Sequence, residues 1–296
     1  MYYCLIYNLN SSTGKKTKFI EKIINILKEK NQIDYFKTQN ENEAKKVLKE
    51  FKKKQYDRLI IAGGDGSVSF AINELIQNNF DLPENFAIGY IPAGTANILQ
   101  AELGMSKNIK KIANTLMSNN LKKTNLVKIN DKHFILMAGL GWDAQIVQSI
   151  NSSLKKILGK IIFGIKGFQK FIFMNNKKIK VSIGGENILA DWILCSNSKY
   201  YAGHHSINDT NIFDNKVVTY IFKDLKRTKL LYYIYLILIY GDLSKSKSII
   251  TKYNKNLNLD GLGNLIPVQI DGDNFGNYEK IDISISEKKF NILKAA

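Results

Sequence analysis

The chain has 296 residues, enough for one large domain or two ordinary ones with separate cores. Its 45% hydrophobic and 23% charged residues exclude disordered and collagen-like classes, and two cysteines, Cys4 and Cys195, are too few for a disulfide scaffold or a cysteine metal site. The net charge of +17 is carried by scattered lysines, with Arg58 and Arg227 the only arginines, so no nucleic-acid partner is expected; the excess reads mostly as compositional background, with attraction to an anionic membrane the leading functional use.

In chain order, Tyr2 to Tyr7 reads as a strand with neither a basic leader nor a cleavage site before it, which gives the expectation of a cytoplasmic protein. Lys15 to Lys30 is an amphipathic helix with Phe19, Ile20, Ile23, Ile24 and Leu27 on one face. Ile33 to Phe36 is a short strand. Asn40 and Glu43 form a capping-box start for a helix that buries Ala44, Val47, Leu48 and Phe51. The apolar strand Arg58 to Ala62 runs into Gly63-Gly64-Asp65-Gly66, then a helix from Ser67 to Gln77. Phe86 to Ile91 is a strand ended by Pro92, with a helix following through Leu103. Such alternation predicts a mostly parallel sheet covered on both faces.

Beyond Leu121 the pattern changes to strand-like pieces at 125–129, 133–138, 178–183, 188–196, 216–222, 265–271 and 280–285. Helical exceptions lie near 143–171 and 228–240. The expected fold class is therefore α/β: an N-terminal three-layer α/β/α domain over 1–124 and an antiparallel β-sandwich-like domain over 125–284. The segment 285–296 is a candidate to join the first domain, and the cleft between the two is the expected active site. The apolar run Leu230 to Tyr240 falls short of the ~20 residues a spanning helix needs. It reads as a buried or half-buried helix. An interfacial helix is the functional alternative, because its tyrosines and the flanking Lys226, Arg227 and Lys229 suit a headgroup boundary.

Chemistry concentrates at two strand–glycine–helix junctions. In Leu59 to Ser67, the glycines Gly63, Gly64 and Gly66 let the backbone turn sharply and approach a ligand, and N–H groups at the following helix start favour phosphate oxygens. Asp65 would repel phosphate, so it acts through a divalent cation or fixes the loop by hydrogen bonds. Ile88 to Asn97 repeats the design, with Gly94 at the turn and Thr95 and Asn97 on the first helical turn, placed to reach phosphates or cap the helix. Two such turns on neighbouring parallel strands converge at the carboxyl edge of the sheet, where open α/β folds bind ligands. Two other motifs are set aside. Gly14-Lys15-Lys16-Thr17 lacks the first glycine and the Ser/Thr of a P-loop, and His204-His205 has no metal spacing with nearby acids.

These motifs resemble those of the diacylglycerol kinase catalytic-domain family, with its bacterial lipid-kinase and sphingosine-kinase relatives. Gly63 to Ser67 resembles its GGDG(T/S) signature, and Pro92 to Asn97 its P-x-G-(T/S)-x-N segment. Asn10 to Gly14 is similar to its N-P-x-(S/A)-G turn, with serine in place of proline, and Thr38 sits where the family has an ATP-contacting threonine. Ala138 to Ala144 resembles its G-x-G-x-D-A strand exit, Lys155 to Lys160 its basic L-G-K segment, and Val268 to Asp273 its V-x-(V/I)-D-G-E ending, with aspartate replacing glutamate.

The resemblance implies an ATP-dependent lipid kinase that phosphorylates the hydroxyl of diacylglycerol or a related long-chain lipid at a membrane surface. It implies ATP held by Asn10, Thr38, Gly63 to Ser67, Gly94, Thr95 and Asn97. It further implies Mg²⁺ with Asp65, Asp214 and Asp273 as metal residues, Asp271 as the catalytic base, and a homodimer as the oligomeric candidate. Asn208 to Asn215 matches the family pattern loosely. An NAD kinase-like enzyme, whose family also uses a GGDG turn, and a non-catalytic lipid- or nucleotide-binding regulator are the competing readings.

Overall fold

The computed structural model describes residues 1–8, 14–51, 54–80, 82–150, 166, 169 and 177–296. It divides into two compact units, Met1–Thr124 with Lys288–Ala296, and Asn125–Glu287.

The first unit alternates strand and helix: β1 Tyr2–Asn8, α1 Gly14–Lys28, β2 Gln32–Thr38, α2 Glu41–Phe51, β3 Arg58–Gly63, α3 Asp65–Gln77, β4 Ala87–Pro92, α4 Ile98–Glu102, α5 Ile109–Met117 and β5 Leu121–Thr124. The Asn40 side chain accepts from the Glu43 N–H at 3.0 Å while the Glu43 carboxylate accepts from the Gln39 N–H at 2.8 Å, so the capping box starts α2 as its sequence requires. The sheet runs β2-β1-β3-β4, then the C-terminal strand Phe290–Leu293, then β5. β1 pairs parallel with both β2 and β3, and β3 pairs parallel with β4. The C-terminal strand pairs parallel with β4 and antiparallel with β5. Central strands flanked on both faces must be apolar throughout, and every residue of β3 is buried.

This strand order reverses direction between β1 and β3, so the crevice that α/β sheets offer to ligands opens at the carboxyl ends of those strands. Register then brings the two glycine turns together. Gly63 at the end of β3 pairs with Pro92 at the end of β4, and the Ala93 N–H donates to the Gly63 carbonyl at 2.8 Å.

The second unit contains β6 Val127–Ile129, β7 Lys132–Phe134, β8 Met137–Gly141, α6 Trp142–Gln148, β9 Ile179–Ile183, β10 Glu186–Ala190, β11 Trp192–Ser196, β12 Tyr200–Tyr201, β13 His205–Ser206 and β14 Val217–Phe222. There follow α7 Arg227–Tyr235, β15 Ile249–Asn254, β16 Asn256–Asp260, β17 Ile266–Ile270, β18 Asp273–Tyr278 and β19 Lys280–Ile285. Two six-stranded antiparallel sheets, β10-β9-β16-β19-β6-β7 and β15-β14-β11-β8-β17-β18, share one core. Alternation supplies it: Ile179, Val181 and Ile183 of β9 point inward against Ile193 and Cys195 of β11. Two expected strands are each two. The piece at 133–138 breaks between Phe134 and Met137, and the piece at 188–196 turns at the buried Asp191. Of the expected helix at 143–171, Trp142–Gln148 is seen, and most of the rest lies outside the described residues.

One face of the second sheet carries an aromatic stack. Trp192 and Phe222 lie parallel with ring centroids 3.9 Å apart, and Tyr233 of α7 meets Phe222 edge-on at 5.0 Å. Tyr233 is fully buried and donates to the Ser248 carbonyl at 3.3 Å, which fastens α7 to the sheet. Removing the middle ring, by Phe222→Ala, is expected to cost ~3–5 kcal/mol. Thermal denaturation followed by circular dichroism checks this, and an unchanged melting temperature would show that the stack does not hold α7.

Candidate functional site

The site in the first unit is built where β3 and β4 end. Gly64 precedes α3 in extended conformation (φ −90°, ψ 178°) and gives that helix no side-chain cap. Asp65, the first residue of α3, turns its carboxylate onto the other junction: Oδ2 accepts from the Ile98 N–H at 2.8 Å and Oδ1 from the Leu99 N–H at 3.1 Å. One carboxylate thus caps α4 while sitting in the first turn of α3, where the helix dipole also favours negative charge. The Tyr90 hydroxyl lies 3.1 Å from Asn97 Oδ1 and 3.4 Å from Asp65 Oδ1, joining both turns to the buried end of β4. Of the two roles open to Asp65 from sequence, this geometry supports loop fixation.

The turns also touch through bare backbone. A Cβ on Gly94 would collide with the Gly64 Cα and approach Asn97 Oδ1 to 2.7 Å and Gly64 N to 3.2 Å. Only glycine allows this packing. Thr95 lies in the bend before α4 and Asn97 is the residue that enters it, left-handed with φ 51°, so neither is on a helical turn as expected. Asn97 Nδ2 donates to the Gly94 carbonyl at 3.3 Å. Among the described residues, the Ser67 and Thr95 side-chain hydroxyls have no hydrogen-bond partner, and Thr95 is exposed.

Lys16 of α1 completes the cluster. Its Nζ donates to the carbonyls of Ala93 at 2.7 Å and Gly94 at 2.9 Å, and burial pulls its pKa below the usual lysine value. The segment Gly14 to Thr17 fails as a P-loop, yet its second lysine reaches the other glycine turn, a contact across 77 residues that carries no local signal. Thr38 ends β2, is buried, and donates to the Tyr7 carbonyl at 3.4 Å. Asn10 and Lys155 to Lys160 lie outside the described residues.

The second unit presents a different carboxylate. Asp271 and Gly272 form the two-residue turn between β17 and β18, both with positive φ (49° and 83°), as an Asp-Gly hairpin requires. The Asp271 side chain folds back: Oδ1 accepts from the N–H groups of Leu136 at 2.8 Å and Met137 at 3.0 Å, and Oδ2 from Ile135 at 3.0 Å. It is 8% exposed, so its orientation is fixed by backbone.

A buried relay supports this turn from below. The Gln269 Oε1 accepts from the Gly272 N–H at 2.9 Å, and its Nε2 donates to Asp143 Oδ2 at 3.2 Å. Asp143 also accepts from the Ala144 N–H at 2.8 Å and from the Tyr201 hydroxyl at 3.4 Å. A Cβ on Gly139 would run into the Asp143 carboxylate, which explains the glycine in that strand. Burial pushes the Asp143 carboxyl up to about 6, opposed by these hydrogen bonds. Gln269 and Asp143 hold the turn that carries Asp271. Asp143 stood in a legible motif, whereas Gln269 had no signal of its own.

Of the metal residues expected from sequence, Asp65 holds α4. Asp214 Oδ2 accepts from the Asn211 N–H at 3.1 Å and its Nδ2 at 3.2 Å, closing a local turn, and Asp273 is exposed at the start of β18. Among the described residues, no three His, Cys, Asp or Glu side chains form a metal-holding group.

Residues 2–129 match the diacylglycerol kinase catalytic domain. A diacylglycerol kinase of Staphylococcus carnosus (strain TM300) is 25% identical over 276 residues, covering 91% of this chain and 87% of its own. Another protein of that strain is 30% identical over 179 residues, or 57% of this chain, which spans about half (55%) of that relative's length. Among solved structures, a diacylglycerol kinase from Bacillus anthracis str. Sterne superposes with a TM-score of 0.74 at 19% identity, over 99% of this chain and 96% of that one, which shows a shared fold. The match to the diacylglycerol kinase catalytic domain thus lies in the first 129 residues, and the similarity to a diacylglycerol kinase runs along most of the chain.

Two outcomes test the site's construction. Asp65→Ala removes the cap that joins the turns and is expected to cost ~1–2 kcal/mol of stability. Urea denaturation midpoints equal to those of the wild type would show that Asp65 does not hold the turns together. For Asp143, a folded pKa near 6 against an ordinary 3.8 means stabilisation that is complete below pH ~4 and lost as pH rises through ~6, worth on the order of 2–3 kcal/mol. Asp143→Asn is expected to remove this component from urea denaturation midpoints measured between pH 4 and 7. Parallel wild-type and variant curves would contradict it.

Proposed function

We propose that the protein is an ATP-dependent lipid kinase that phosphorylates the hydroxyl of a long-chain lipid such as diacylglycerol. The observation that carries this reading is the pair of glycine turns welded by Asp65, with an uncapped α3 N-terminus and the Ser67 and Thr95 hydroxyls at the same edge. The three parts suit a polyphosphate: N–H groups for its oxygens, hydroxyls as further donors, and a lysine at the turn. Lys16, Gly64, Gly66, Ser67, Gly94 and Thr95 are assigned to the phosphates, and Asn97 and Asp65 to the shape of the turns. Mg²⁺ is assigned to the nucleotide's own phosphates rather than to a carboxylate cluster of the chain.

Asp271 is assigned to the acceptor hydroxyl. Three backbone donors hold its carboxylate in one orientation, which suits a group that aligns an alcohol rather than strips it beforehand. A carboxylate is far too weak to deprotonate an alcohol in the ground state. In phosphoryl transfer the bond to the leaving group is largely broken before the nucleophile bonds, so the proton leaves late and a weak, well-placed acceptor suffices. The oxygen of the lipid attacks the γ-phosphorus, the β–γ bridging oxygen departs with ADP, and the hydroxyl proton passes to Asp271.

Asp271→Asn is expected to lower kcat by about 10²–10⁴ while ATP affinity is retained, since the phosphate-binding residues belong to the other unit. Radiolabelled ATP incubated with a total lipid extract, with the labelled product identified, measures both the activity and its acceptor. Wild-type turnover in the variant would remove Asp271 from the mechanism. The absence of any labelled lipid with the wild-type chain would overturn the function.

A further inference from the structure

The helix after β14 departs from the usual amphipathic pattern. It is apolar around its circumference from Leu230 to Tyr240, yet only one face is packed: Leu230, Tyr233, Leu236 and Ile237 are buried. The opposite face exposes Leu231, Tyr232, Tyr235, Leu238, Ile239 and Tyr240 at helical spacing, with Ile239 68% and Leu231 55% exposed. The last turn is π-type, the Gly241 N–H donating to the Leu236 carbonyl at 3.1 Å, which places Leu238, Ile239 and Tyr240 together at the helix end. Half-exposing six large side chains leaves on the order of 500 Å² of apolar surface in one patch, a size that marks interaction surfaces.

Charge selects the occupant. Exposed Lys223 and Lys226 precede the helix, exposed Arg227 begins it, and exposed Lys245 and Lys247 follow it. The nearby acids are already engaged. Asp224 pairs with Lys178 at 3.2 Å, and Asp242 accepts from the Ser244 N–H at 2.9 Å and lies 3.8 Å from Lys245. A second copy of the chain would bring basic flanks against basic flanks in either orientation. An anionic bilayer offers the complement: phosphate and carboxyl headgroups for the lysines, acyl chains for Leu231, Leu238 and Ile239, and a polar boundary for the three tyrosine hydroxyls. From Arg227 to Tyr240 the helix is about 21 Å long, too short to cross a ~30 Å hydrocarbon core but suited to lying along its surface.

We infer that the exposed face of the helix from Arg227 to Tyr240 docks the protein on anionic phospholipid bilayers. The choice of a bilayer as occupant rests on the lipid-kinase reading, but the test reads binding rather than turnover.

Both native cysteines are buried, with desolvation pushing each thiol up to about 12, so Ile239→Cys provides a single reactive thiol for an environment-sensitive dye. The full chain is mixed with vesicles of phosphatidylcholine alone or with phosphatidylglycerol. The dye is expected to shift to the blue with the anionic vesicles only, and the shift to weaken with added salt. Leu238→Ser combined with Ile239→Ser, both at exposed positions, is expected to lower vesicle affinity at least tenfold with unchanged circular dichroism and sedimentation. Equal vesicle affinity in that double variant would overturn the inference, as would a wild-type chain indifferent to anionic vesicles. A sedimentation change in the variant would instead show that a second copy occupies the face, which also overturns it. Docking without lipid phosphorylation leaves this inference standing and defeats the proposed function; phosphorylation of detergent-dispersed lipid without docking does the reverse.

Discussion

Asp65 begins one helix and uses both carboxylate oxygens to hold the first backbone N–H groups of another. Because α3 and α4 follow adjacent parallel strands, that single side chain sets the spacing of two loops that the sheet alone would only bring near each other. The bare contact of Gly94 with Gly64, the Tyr90 hydroxyl between Asp65 and Asn97, and the Lys16 ammonium on the Gly94 carbonyl all depend on that spacing. A binding site for a highly charged ligand gains from such rigidity, since donors already in place need no reorganisation when the charge arrives. The negative charge of Asp65 is compatible with this role because backbone amides at a helix start receive it.

The second unit solves a related problem with a buried relay. Asp271 sits in a left-handed conformation at a hairpin tip, where side chains of most residues would face solvent. Three amides from 135–137 draw its carboxylate inward, and Gln269 steadies the neighbouring Gly272 from Asp143. Asp143 has no cationic partner in this network and its carboxyl is displaced upward by burial, whereas Asp271 is surrounded by donors.

Much of this was legible in the sequence, and the rest was hidden for definable reasons. β3 and its glycine exit were visible because a buried parallel strand has to be a continuous apolar run, and Asn40 with Glu43 marked α2 by side-chain chemistry that is local. α5, Ile109–Met117, lacks a capping box and went unseen, as did β15 and β18, whose burial does not alternate, and β16, whose alternation spans only five residues. The break at Asp191 joined two strands into one expected run because burial of an aspartate at a corner has no compositional mark. Asp65 was recognised as an anchor or a metal residue, but its partners at Ile98 and Leu99 are backbone, which sequence does not display. Lys16 was missed for the same reason. The apolar run at 230–240 is shorter than a spanning helix needs, and among the described residues no helix is long and apolar enough to cross a membrane. Which of its faces lay outward depended on where β14 and Phe222 placed it.

The central claim is that the turns at 63–67 and 93–99 form a single polyphosphate site. Hydrogen–deuterium exchange with and without a non-hydrolysable ATP analogue tests it most directly, because the proposed ligands are largely backbone N–H groups. The account predicts that amides of both segments slow together at the same nucleotide concentration. Protection of one segment alone, or of neither while nucleotide is bound, would contradict it.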